Sequence, residues 1–436
     1  MSVAAAKPLP TGRTYGMDVV ITVGGKGVFV VFSGLLVVLS ARILGPEGQG
    51  VFAVAVSLLM VLVQMGSLGL AISAPFYTAR EPSLQRAIAF TLLRIAIIVS
   101  LVLCVGTIGI KALAPGTLPG VGWGLLTITL GAVPAAIAAL YLQGVLLGQQ
   151  RAIPFNLMEI AQAVSTVLAL VVLTAVRDVD VADVVLLTAA GRYVSLFVAL
   201  FALRHLLLSR MPGSADGLAR RLLDRGRRIY IVTFLSFALI RLDLLLVNAL
   251  LGSRDAGLYS IASYVTEALI VIPAVVGSML LPRLAKSAEP RLSPEAFRVI
   301  AVVWGGICLI SLPMAYIGLP IVFGTEFRDS AGLYAWLVLG TFCVGLLSTL
   351  VVHFVVSDYP RELLVAWGIG LALNVLLNLV LLRPLGVTAA PIISSVSYAF
   401  VLGWHLKVYA HANGGYRALR PQPSEILVTL RAAFGR

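Results

Sequence analysis

The chain has 436 residues, of which 60% are hydrophobic and only 12% are charged. This composition excludes an ordinary soluble globular protein, in which about a quarter of the residues are charged. The formal net charge of +13 fits a membrane protein with basic cytoplasmic loops that contact anionic lipid headgroups. We therefore predict a membrane protein with membrane lipids as partners and no nucleic-acid partner.

Apolar stretches of about 20 residues, the length that a helix needs to cross a bilayer, follow one another along the chain with short polar breaks between them. We count twelve of them and predict an all-α polytopic membrane protein with about 12 transmembrane helices. The predicted spans are 17–40, 50–73, 87–110, 121–148, 155–176, 184–203, 229–251, 257–281, 299–323, 331–355, 362–382 and 387–410.

A repeated segment divides these spans into two halves. Residues 44–52, LGPEGQGVF, return in outline as residues 251–259, LGSRDAGLY, and each copy joins two apolar runs. Because each half holds an even number of spans, both halves enter the membrane in the same direction. We predict an N-terminal six-helix lobe at 1–208 and a C-terminal six-helix lobe at 229–411, related by a pseudo-two-fold axis along the membrane normal.

Two basic segments lie outside the lobes. Residues 209–228 place leucines on one helical face and arginines on the other, which predicts an amphipathic cytoplasmic linker on the membrane surface. Residues 412–436 have a similar pattern and are predicted to form a cytoplasmic amphipathic tail, either a short interfacial helix or a disordered segment.

The distribution of basic residues predicts the orientation of the spans. Cytoplasmic loops of membrane proteins hold an excess of Lys and Arg, and most of the 32 basic residues fall on the side that carries both termini. Both termini are therefore predicted to be cytoplasmic. Outside the spans, the opposite side holds only Arg42, Lys111, Arg177, Arg254, Arg328 and Arg383.

Ionisable residues inside the spans are the candidate functional residues. Each would cost about 2.5–3.5 kcal/mol in the bilayer unless it faces a partner or a hydrated cavity. Arg241 lies near the middle of its span, and Asp243, two residues on, points to nearly the opposite face, so these two side chains cannot neutralise each other. The embedded residues are basic Lys26, Arg94, Arg192 and Arg241, and acidic Glu159, Asp243 and Glu267.

Two explanations of these charges remain open for any single residue. A basic group can satisfy a carboxylate in helix packing, as Arg94 could with Glu159, or it can contact a substrate. Taken together, the four basic groups favour a basic interior that binds an anionic, lipid-linked substrate. We assign substrate binding to Lys26, Arg94, Arg192 and Arg241, and ion coupling or charge balance to Glu159, Asp243 and Glu267.

Few other residues suggest chemistry. Asn374 and Asn378 share a helix face and are expected to form hydrogen bonds between helices. The three cysteines stand singly in apolar runs and are expected to be small core residues. We predict no catalytic residue, no metal site and no cofactor beyond a coupling proton or sodium ion.

Several motifs resemble those of a known family. Residues 41–50, ARILGPEGQG, are followed in the first half by the pairs Gly69-Leu70 and Gln143-Gly144, and in the second half by Arg241-Leu242-Asp243 and residues 323–327 and 384–387. Their order and spacing resemble the polysaccharide transporter family, which comprises the O-antigen and exopolysaccharide flippases of the multidrug, oligosaccharidyl-lipid and polysaccharide exporter superfamily. The resemblance covers nearly the whole chain.

The resemblance implies a transporter, not an enzyme. The implied function is translocation of a polyprenyl-pyrophosphate-linked oligosaccharide from the cytoplasmic to the periplasmic leaflet of a bacterial-type inner membrane, by alternating access. Coupling to an ion or to the membrane potential is expected. Polysaccharide polymerase or export machinery would then be a partner.

Two other functions are weighed against this one. A cation-coupled drug or organic-solute antiporter of the same superfamily should have a cavity dominated by carboxylates, whereas the embedded charges here are four basic and three acidic. A membrane glycan polymerase or ligase should carry catalytic residues on a large periplasmic loop. The longest loop, 204–228, is instead predicted to be cytoplasmic and is rich in arginine.

Overall fold

The structure, a computed structural model, describes residues 12–208, 217–286, 294–356, 360–412 and 415–416, and all regular secondary structure in these ranges is helical. Short 3₁₀ turns at Pro82–Leu84, Pro115–Thr117 and Thr325–Phe327 separate some of the helices. The α-helices are α1 (Gly12–Ser67), α2 (Leu70–Arg80), α3 (Gln85–Leu113), α4 (Trp123–Gly148), α5 (Ala152–Val176), α6 (Val181–Leu208), α7 (Leu218–Leu251), α8 (Ser253–Lys286), α9 (Pro294–Phe323), α10 (Asp329–Val356), α11 (Arg361–Leu385) and α12 (Ala389–Ala412).

The predicted fold class is confirmed, because the described part of the chain holds 11 helical segments that are long and apolar enough to cross a membrane. The twelve predicted spans become 11 segments because the first two spans share helix α1. That helix is kinked at Gly45, which has φ 64° and ψ −178° and is followed by Pro46.

Glycine is required at the same position of both repeated segments. Gly45 has a φ of 64° and its counterpart Gly252, which separates α7 from α8, has a φ of 101°. Side chains other than hydrogen are strained at such φ values. Both copies of the repeated segment therefore contain a glycine with positive φ that interrupts the helical backbone between two long helical stretches.

Contacts group the described residues into two units. Unit 1 lies within Met1–Leu39, Leu62–Leu113 and Trp123–Tyr230, and unit 2 lies within Ser40–Val61, Ala114–Gly122 and Ile231–Arg436. Parts of α1 and of the α3–α4 connection thus belong to unit 2 although they come from the first half of the chain. The lobes predicted at 1–208 and 229–411 stay a prediction.

Helix packing within each unit follows the sequence repeat. In unit 1, α4 packs against α2, α3 and α6, and in unit 2, α10 packs against α8, α9 and α12. Helix α5 packs on α6 just as α11 packs on α12. Adding six to each helix number of these unit 1 pairs gives the corresponding unit 2 pair. The helix packing therefore repeats in the two units, as the duplication in the sequence predicts.

The core of unit 2 is rich in aromatic side chains. Trp304 of α9 is 2% exposed, donates a hydrogen bond to the carbonyl oxygen of Phe342 at 3.1 Å and lies against Gly345 of α10. Trp367 and Tyr398 are buried in the same cluster. These contacts fix α9, α10, α11 and α12 relative to one another inside unit 2.

The predicted linker 209–228 is described from residue 217 onward; residues 209–216 lie outside the described residues, as does the tail beyond 416. From Leu218 the segment is the first part of α7 and runs without a break into the span. Leu222 is fully buried, and Gly226 packs backbone to backbone against Gly69 of unit 1. Leu222 and Gly226 therefore pack against protein, whereas Leu223 is exposed; the placement of the segment on the membrane surface stays a prediction.

Polar contacts hold the same segment in unit 1. The Tyr77 hydroxyl donates to the carbonyl oxygen of Arg221 at 3.4 Å. The Arg221 guanidinium donates to Glu81, and this carboxylate raises the pKa of Arg221. Arg220 pairs with Asp224 one turn along the helix at 3.7 Å. The arginines thus occupy the exposed face, as the amphipathic pattern predicts.

Inside unit 2, the repeated segments pack directly on each other. Gly50 and Gly257 occupy the same position in the two copies, and the backbones meet there without side chains between them. A Cβ atom on Gly50 would overlap the carbonyl oxygen of Ser253, and a Cβ atom on Gly257 would overlap that of Pro46. Because these obstacles are backbone atoms, rotation of a side chain cannot relieve the overlap.

The substitution Gly257→Ala should therefore destabilise the protein. We expect a loss of about 1–3 kcal/mol, the usual cost of overpacking, measured as the unfolding midpoint of the purified protein in detergent. The matched control is Gly306→Ala inside α9, where a Cβ meets nothing within 4 Å and where Ala should be neutral or slightly stabilising. Equal midpoints for the two variants would contradict the backbone-contact interpretation.

Candidate functional site

The embedded charges of unit 1 begin with an ion pair between α1 and α5. The Lys26 ammonium donates to both oxygens of Glu159, at 2.7 and 2.5 Å. Gln143 of α4 donates to the same carboxylate at 2.9 Å. The two helices approach closely because Gly25 of α1, which has no side chain, lies against Asn156 of α5. Lys26 follows Gly25 directly, and Glu159 lies about one helical turn after Asn156, so the ion pair forms beside this close contact.

A second basic group lies on the same face of α5. Arg192 of α6 donates to Gln162 at 3.3 Å, and Gln162 is three residues from Glu159, hence its neighbour on the helix surface. Glu159 also acts electrostatically on Arg192. The Nε atom of Arg192 is buried and finds no hydrogen-bond partner among the described residues. Glu159 therefore balances Lys26 closely and Arg192 only at longer range.

Arg94 lies apart from this cluster. It is exposed, on the same face of α3 as the exposed side chains Ile98, Leu101 and Val105. In the part of the chain that the structure describes, its side chain forms no hydrogen bond or ion pair. The pairing of Arg94 with Glu159 that the sequence allowed is not formed; Glu159 pairs with Lys26 instead.

Among the described residues of unit 2, one embedded ion pair joins α7 and α8. The Arg241 guanidinium donates to Glu267 at 2.5 Å, and the two side chains are 19% and 28% exposed. This pair is accessible at its edge, so that each member can reach a further ligand. As the spacing predicts, Arg241 and Asp243 have different partners.

Asp243 forms the other polar site of unit 2 and is 2% exposed. Its oxygens accept hydrogen bonds from the Tyr259 hydroxyl at 2.5 Å, from the Ser394 hydroxyl at 2.9 Å and from the backbone N–H of Leu244 at 2.7 Å. All three donors are neutral groups. A buried carboxylate that is held only by neutral donors keeps an attraction for a proton or a small cation.

The network around Asp243 continues through α11 and α12. Asn374 donates to the Ser394 hydroxyl at 3.3 Å, and Asn378 donates to the side-chain oxygen of Asn374 at 3.1 Å. The Asn378 side-chain oxygen is buried and without a hydrogen-bond donor among the described residues. Carboxylate, hydroxyl and amide oxygens are thus gathered from α7, α11 and α12, and oxygen ligands are those that hard cations prefer.

Sequence reasoning found part of this network. It named Asp243, and it expected hydrogen bonds from Asn374 and Asn378, but it did not connect them. Tyr259 and Ser394 were missed because single hydroxyls in apolar spans are common and mark no site. One signal was available in the repeat. The first repeated segment ends in Phe52 and the second ends in Tyr259, so a hydroxyl is added at the matching position. Within the described residues, no group of three His, Cys, Asp or Glu side chains could hold a metal ion.

Comparison with known proteins identifies the family. A sequence profile described as "Polysaccharide biosynthesis protein" matches residues 17–288, which is more than half of the chain. The chain belongs to this family, and the resemblance found in the sequence motifs is confirmed. Among curated proteins, none matches the sequence.

Solved structures share the fold at low sequence identity. The lipid II flippase MurJ in an inward closed conformation has a TM-score of 0.69 at 11% identity, over 95% of this chain and 91% of that chain. An inward-facing multidrug resistance MATE family transporter of the MOP superfamily has a TM-score of 0.63 at 12% identity, over 88% and 95%. A eukaryotic MATE transporter has 0.57 at 14%, over 90% and 96%. These likenesses establish the fold.

Proposed function

We propose that this member of the polysaccharide biosynthesis family is a flippase. It translocates a polyprenyl-pyrophosphate-linked oligosaccharide from the cytoplasmic to the periplasmic leaflet by alternating access, coupled to a proton, a sodium ion or the membrane potential. The family supports a role in polysaccharide production, and the fold is shared with transporters. The embedded charges support the choice of substrate.

The observation that carries the proposal is the charge balance deep in unit 1. Two basic groups, Lys26 and Arg192, lie beside Glu159 of α5, and a third, Arg94, lies apart from them on the exposed face of α3. Lys26 donates to both oxygens of that carboxylate, so the positive charge of Arg192 is left largely uncompensated, and Arg94 forms no ion pair among the described residues. A pyrophosphate supplies the missing negative charge, and guanidinium groups bind phosphate oxygens in a planar, two-pronged geometry.

The ion pair of unit 2 fits the same substrate. Arg241 is held by Glu267 but remains 19% exposed, so that a pyrophosphate oxygen can take a second N–H of the guanidinium. The glycan needs a hydrated path, whereas the polyprenyl chain stays in the lipid. Lys26, Arg94, Arg192 and Arg241 are therefore proposed to contact the pyrophosphate, with Glu159 and Glu267 balancing their charge when the substrate is absent.

Coupling is proposed to act through Asp243. Its carboxylate is buried, receives hydrogen bonds from Tyr259 and Ser394, and is bonded to no cationic side chain among the residues that the structure describes. A proton or sodium ion would neutralise it, and the neighbouring amide oxygens of Asn374 and Asn378 are suited to a sodium ion. Binding would then depend on pH or on sodium concentration.

The antiporter alternative rests on the same carboxylate. Asp243 alone, with the MATE-like fold, would suit a carrier of organic cations. The basic surplus beside Glu159 opposes this function because it would repel a cationic substrate from unit 1. The glycan polymerase or ligase alternative lacks a comparable supporting observation, since none of the embedded residues forms a nucleophile and base arrangement in the described part of the chain.

The cellular setting follows from the proposed substrate. We propose a bacterial-type inner membrane with both termini cytoplasmic, two six-helix lobes at 1–208 and 229–411, and cooperation with polysaccharide polymerase or export machinery. The positive-inside distribution of Lys and Arg supports the orientation.

The substitution Arg241→Ala tests the substrate contact. Export of the glycan should fall about tenfold or more, since a charge-assisted hydrogen bond to the pyrophosphate is lost, while the protein remains in the membrane. Export is measured as surface polysaccharide in cells that depend on the variant. The matched control is Arg383→Ala, an exposed arginine at the end of α11, which should export normally.

A double variant separates substrate binding from ion pairing. Arg241→Ala also leaves Glu267 without its partner, and Arg241→Ala combined with Glu267→Gln removes that uncompensated carboxylate. If Arg241 contacts the substrate, the double variant stays inactive. Recovery of export in the double variant would show that Arg241 serves only to neutralise Glu267.

The substitution Asp243→Asn tests coupling. Asparagine can still accept hydrogen bonds from Tyr259 and Ser394, but it has no charge for a cation. The unfolding midpoint of the wild-type protein should rise with sodium chloride relative to choline chloride, or with falling pH, because a bound cation stabilises the folded state. The variant should lose that dependence, whereas the exposed control Asp224→Asn should keep it. An unchanged dependence in Asp243→Asn would make Asp243 a structural partner only.

A further inference from the structure

Unit 2 contains a cavity that the proposed translocation site does not use. It has a volume of about 690 Å³ and is lined by Arg254, Asp255, Tyr316, Asp329, Trp336 and Thr388 together with smaller apolar residues. This volume lies within the range of about 300–1,000 Å³ that is usual for small-molecule sites. The lining residues come from α8, α9, α10 and the residues just before α12, on the side of the spans that the basic residues predict to be periplasmic.

The polar side chains of this cavity are available to a ligand. Arg254, Asp329 and Thr388 are exposed. In the described part of the chain, the side chains of Arg254, Asp255, Asp329, Tyr316 and Thr388 form no hydrogen bond, although Arg254 acts electrostatically on its neighbour Asp255. The cavity thus offers donors and acceptors side by side.

Two large aromatic side chains complete the cavity. Trp336 is 55% exposed and Tyr316 is 56% exposed. Exposed Trp and Tyr residues often mark the membrane interface, but here both line one cavity with four polar side chains. An aromatic ring packs well against the C–H face of a sugar, because that face is apolar and carries a partial positive charge that meets the negative π face.

The charges of the cavity argue for an uncharged ligand. Arg254 contributes one positive charge, whereas Asp255 and Asp329 contribute two negative charges. The starts of α8 and α10 and the residues just before α12 also line the cavity, and helix N-termini carry partial positive charge. The sum is near zero, which disfavours a phosphate group or an ammonium group as the main contact and favours a ligand that both donates and accepts hydrogen bonds.

Buried hydrogen bonds hold the walls of the cavity in place. Ser330 of α10 donates to the carbonyl oxygen of Leu258 in α8 at 2.8 Å, and Ser395 of α12 donates to that of Trp336 at 2.8 Å. The hydroxyls of Ser311 and Tyr334 join α9 to α10 at 2.6 Å. The aromatic and charged groups are therefore presented by fixed helices, as a preformed site requires.

We propose that this cavity is a carbohydrate-binding site. Trp336 and Tyr316 stack against sugar rings, Asp255 and Asp329 accept hydrogen bonds from hydroxyls, and Arg254 and Thr388 donate to ring or hydroxyl oxygens. That the bound sugar belongs to the translocated glycan rests on the proposed function. Sugar binding itself rests on the cavity alone.

The test uses the full-length protein in nanodiscs of phosphatidylethanolamine and phosphatidylglycerol, because the sugar headgroups of maltoside detergents would compete. The probes are methyl glycosides of a neutral hexose, a 6-deoxyhexose and an N-acetylhexosamine, observed by saturation-transfer NMR. At least one should bind saturably with a Kd of about 1 mM, the affinity that a ligand of this size can reach.

Substitutions assign that binding to the cavity. Trp336→Ala should weaken it about fivefold through loss of the aromatic contact, and Asp329→Asn about tenfold through loss of a charged acceptor. The matched controls are Trp123→Ala, whose side chain is 51% exposed, and Asp178→Asn in the α5–α6 connection, both on the same predicted side. Neither control should change the affinity.

Three results would overturn the assignment: no saturable binding of any glycoside, equal weakening in the controls, or unchanged binding in both cavity variants. Short-chain phosphatidylethanolamine and phosphatidylglycerol serve as further probes. If these lipids bind in a Trp336-dependent manner and no glycoside does, the cavity is a lipid site and the assignment is overturned. The two proposals can fail separately. If a glycoside binds in a Trp336-dependent manner but the protein exports no glycan, the carbohydrate site is supported and the proposed function is refuted.

Discussion

The requirement that every charge and hydrogen-bonding group inside a bilayer has a partner decides most of what this chain can be. Each unpaired charge costs about 2.5–3.5 kcal/mol. Three different arrangements meet the requirement here. Lys26 and Glu159 neutralise each other, Arg241 and Glu267 do so at an accessible edge, and Asp243 is held by neutral donors alone.

These arrangements differ in what they leave available. In the first arrangement, Glu159 is one carboxylate beside two basic groups, Lys26 and Arg192, so an additional anion can bind. In the second, part of the Arg241 guanidinium remains exposed and can bind an anion as well. In the third, a carboxylate keeps capacity for a cation. In the proposed function the first kind of site would bind the anionic glycan lipid and the second a coupling ion. Arg241 and Asp243 represent the two kinds on the same helix, α7, but each is hydrogen-bonded to different partners.

The helices that carry these groups approach one another at glycines. Gly50 and Gly257 bring the backbones of the two repeated segments together in unit 2, and Gly25 lets the side chain of Asn156 of α5 lie against α1 in unit 1. Gly45 and Gly252 turn the chain between long helices with positive φ values. The repeated sequence thus carries both the turn and the close contact, which explains why its glycines recur at matching positions while the residues between them differ.

The sequence predicted the spans, the duplication and the embedded charges, because hydropathy and an offset of 207 residues between Leu44 and Leu251 are visible in one chain. It could not predict which basic group pairs with Glu159, since that depends on the rotation of each helix about its axis. The sequence suggested Arg94 as the partner, whereas in the structure Lys26 pairs with Glu159, and Gly25 beside it lies against Asn156 of the same helix as Glu159. The roles of Ser394 and Tyr259 could not be predicted for a different reason. A hydroxyl in an apolar span indicates a site only when the carboxylate that it bonds is known, here Asp243. The apolar face of 218–228 was recognised, but its covering by the protein itself was not.

The measurement that tests the account most directly is the sidedness of polyprenyl-linked glycans in cells that lack this protein. The lipid-linked glycans are extracted, identified by mass, and their sugars are assayed for access from each side of the membrane. The account predicts that a complete oligosaccharide unit accumulates on the cytoplasmic face. Complete units that already face outward but are not polymerised would contradict it and indicate an enzyme, and unchanged glycans would favour the antiporter.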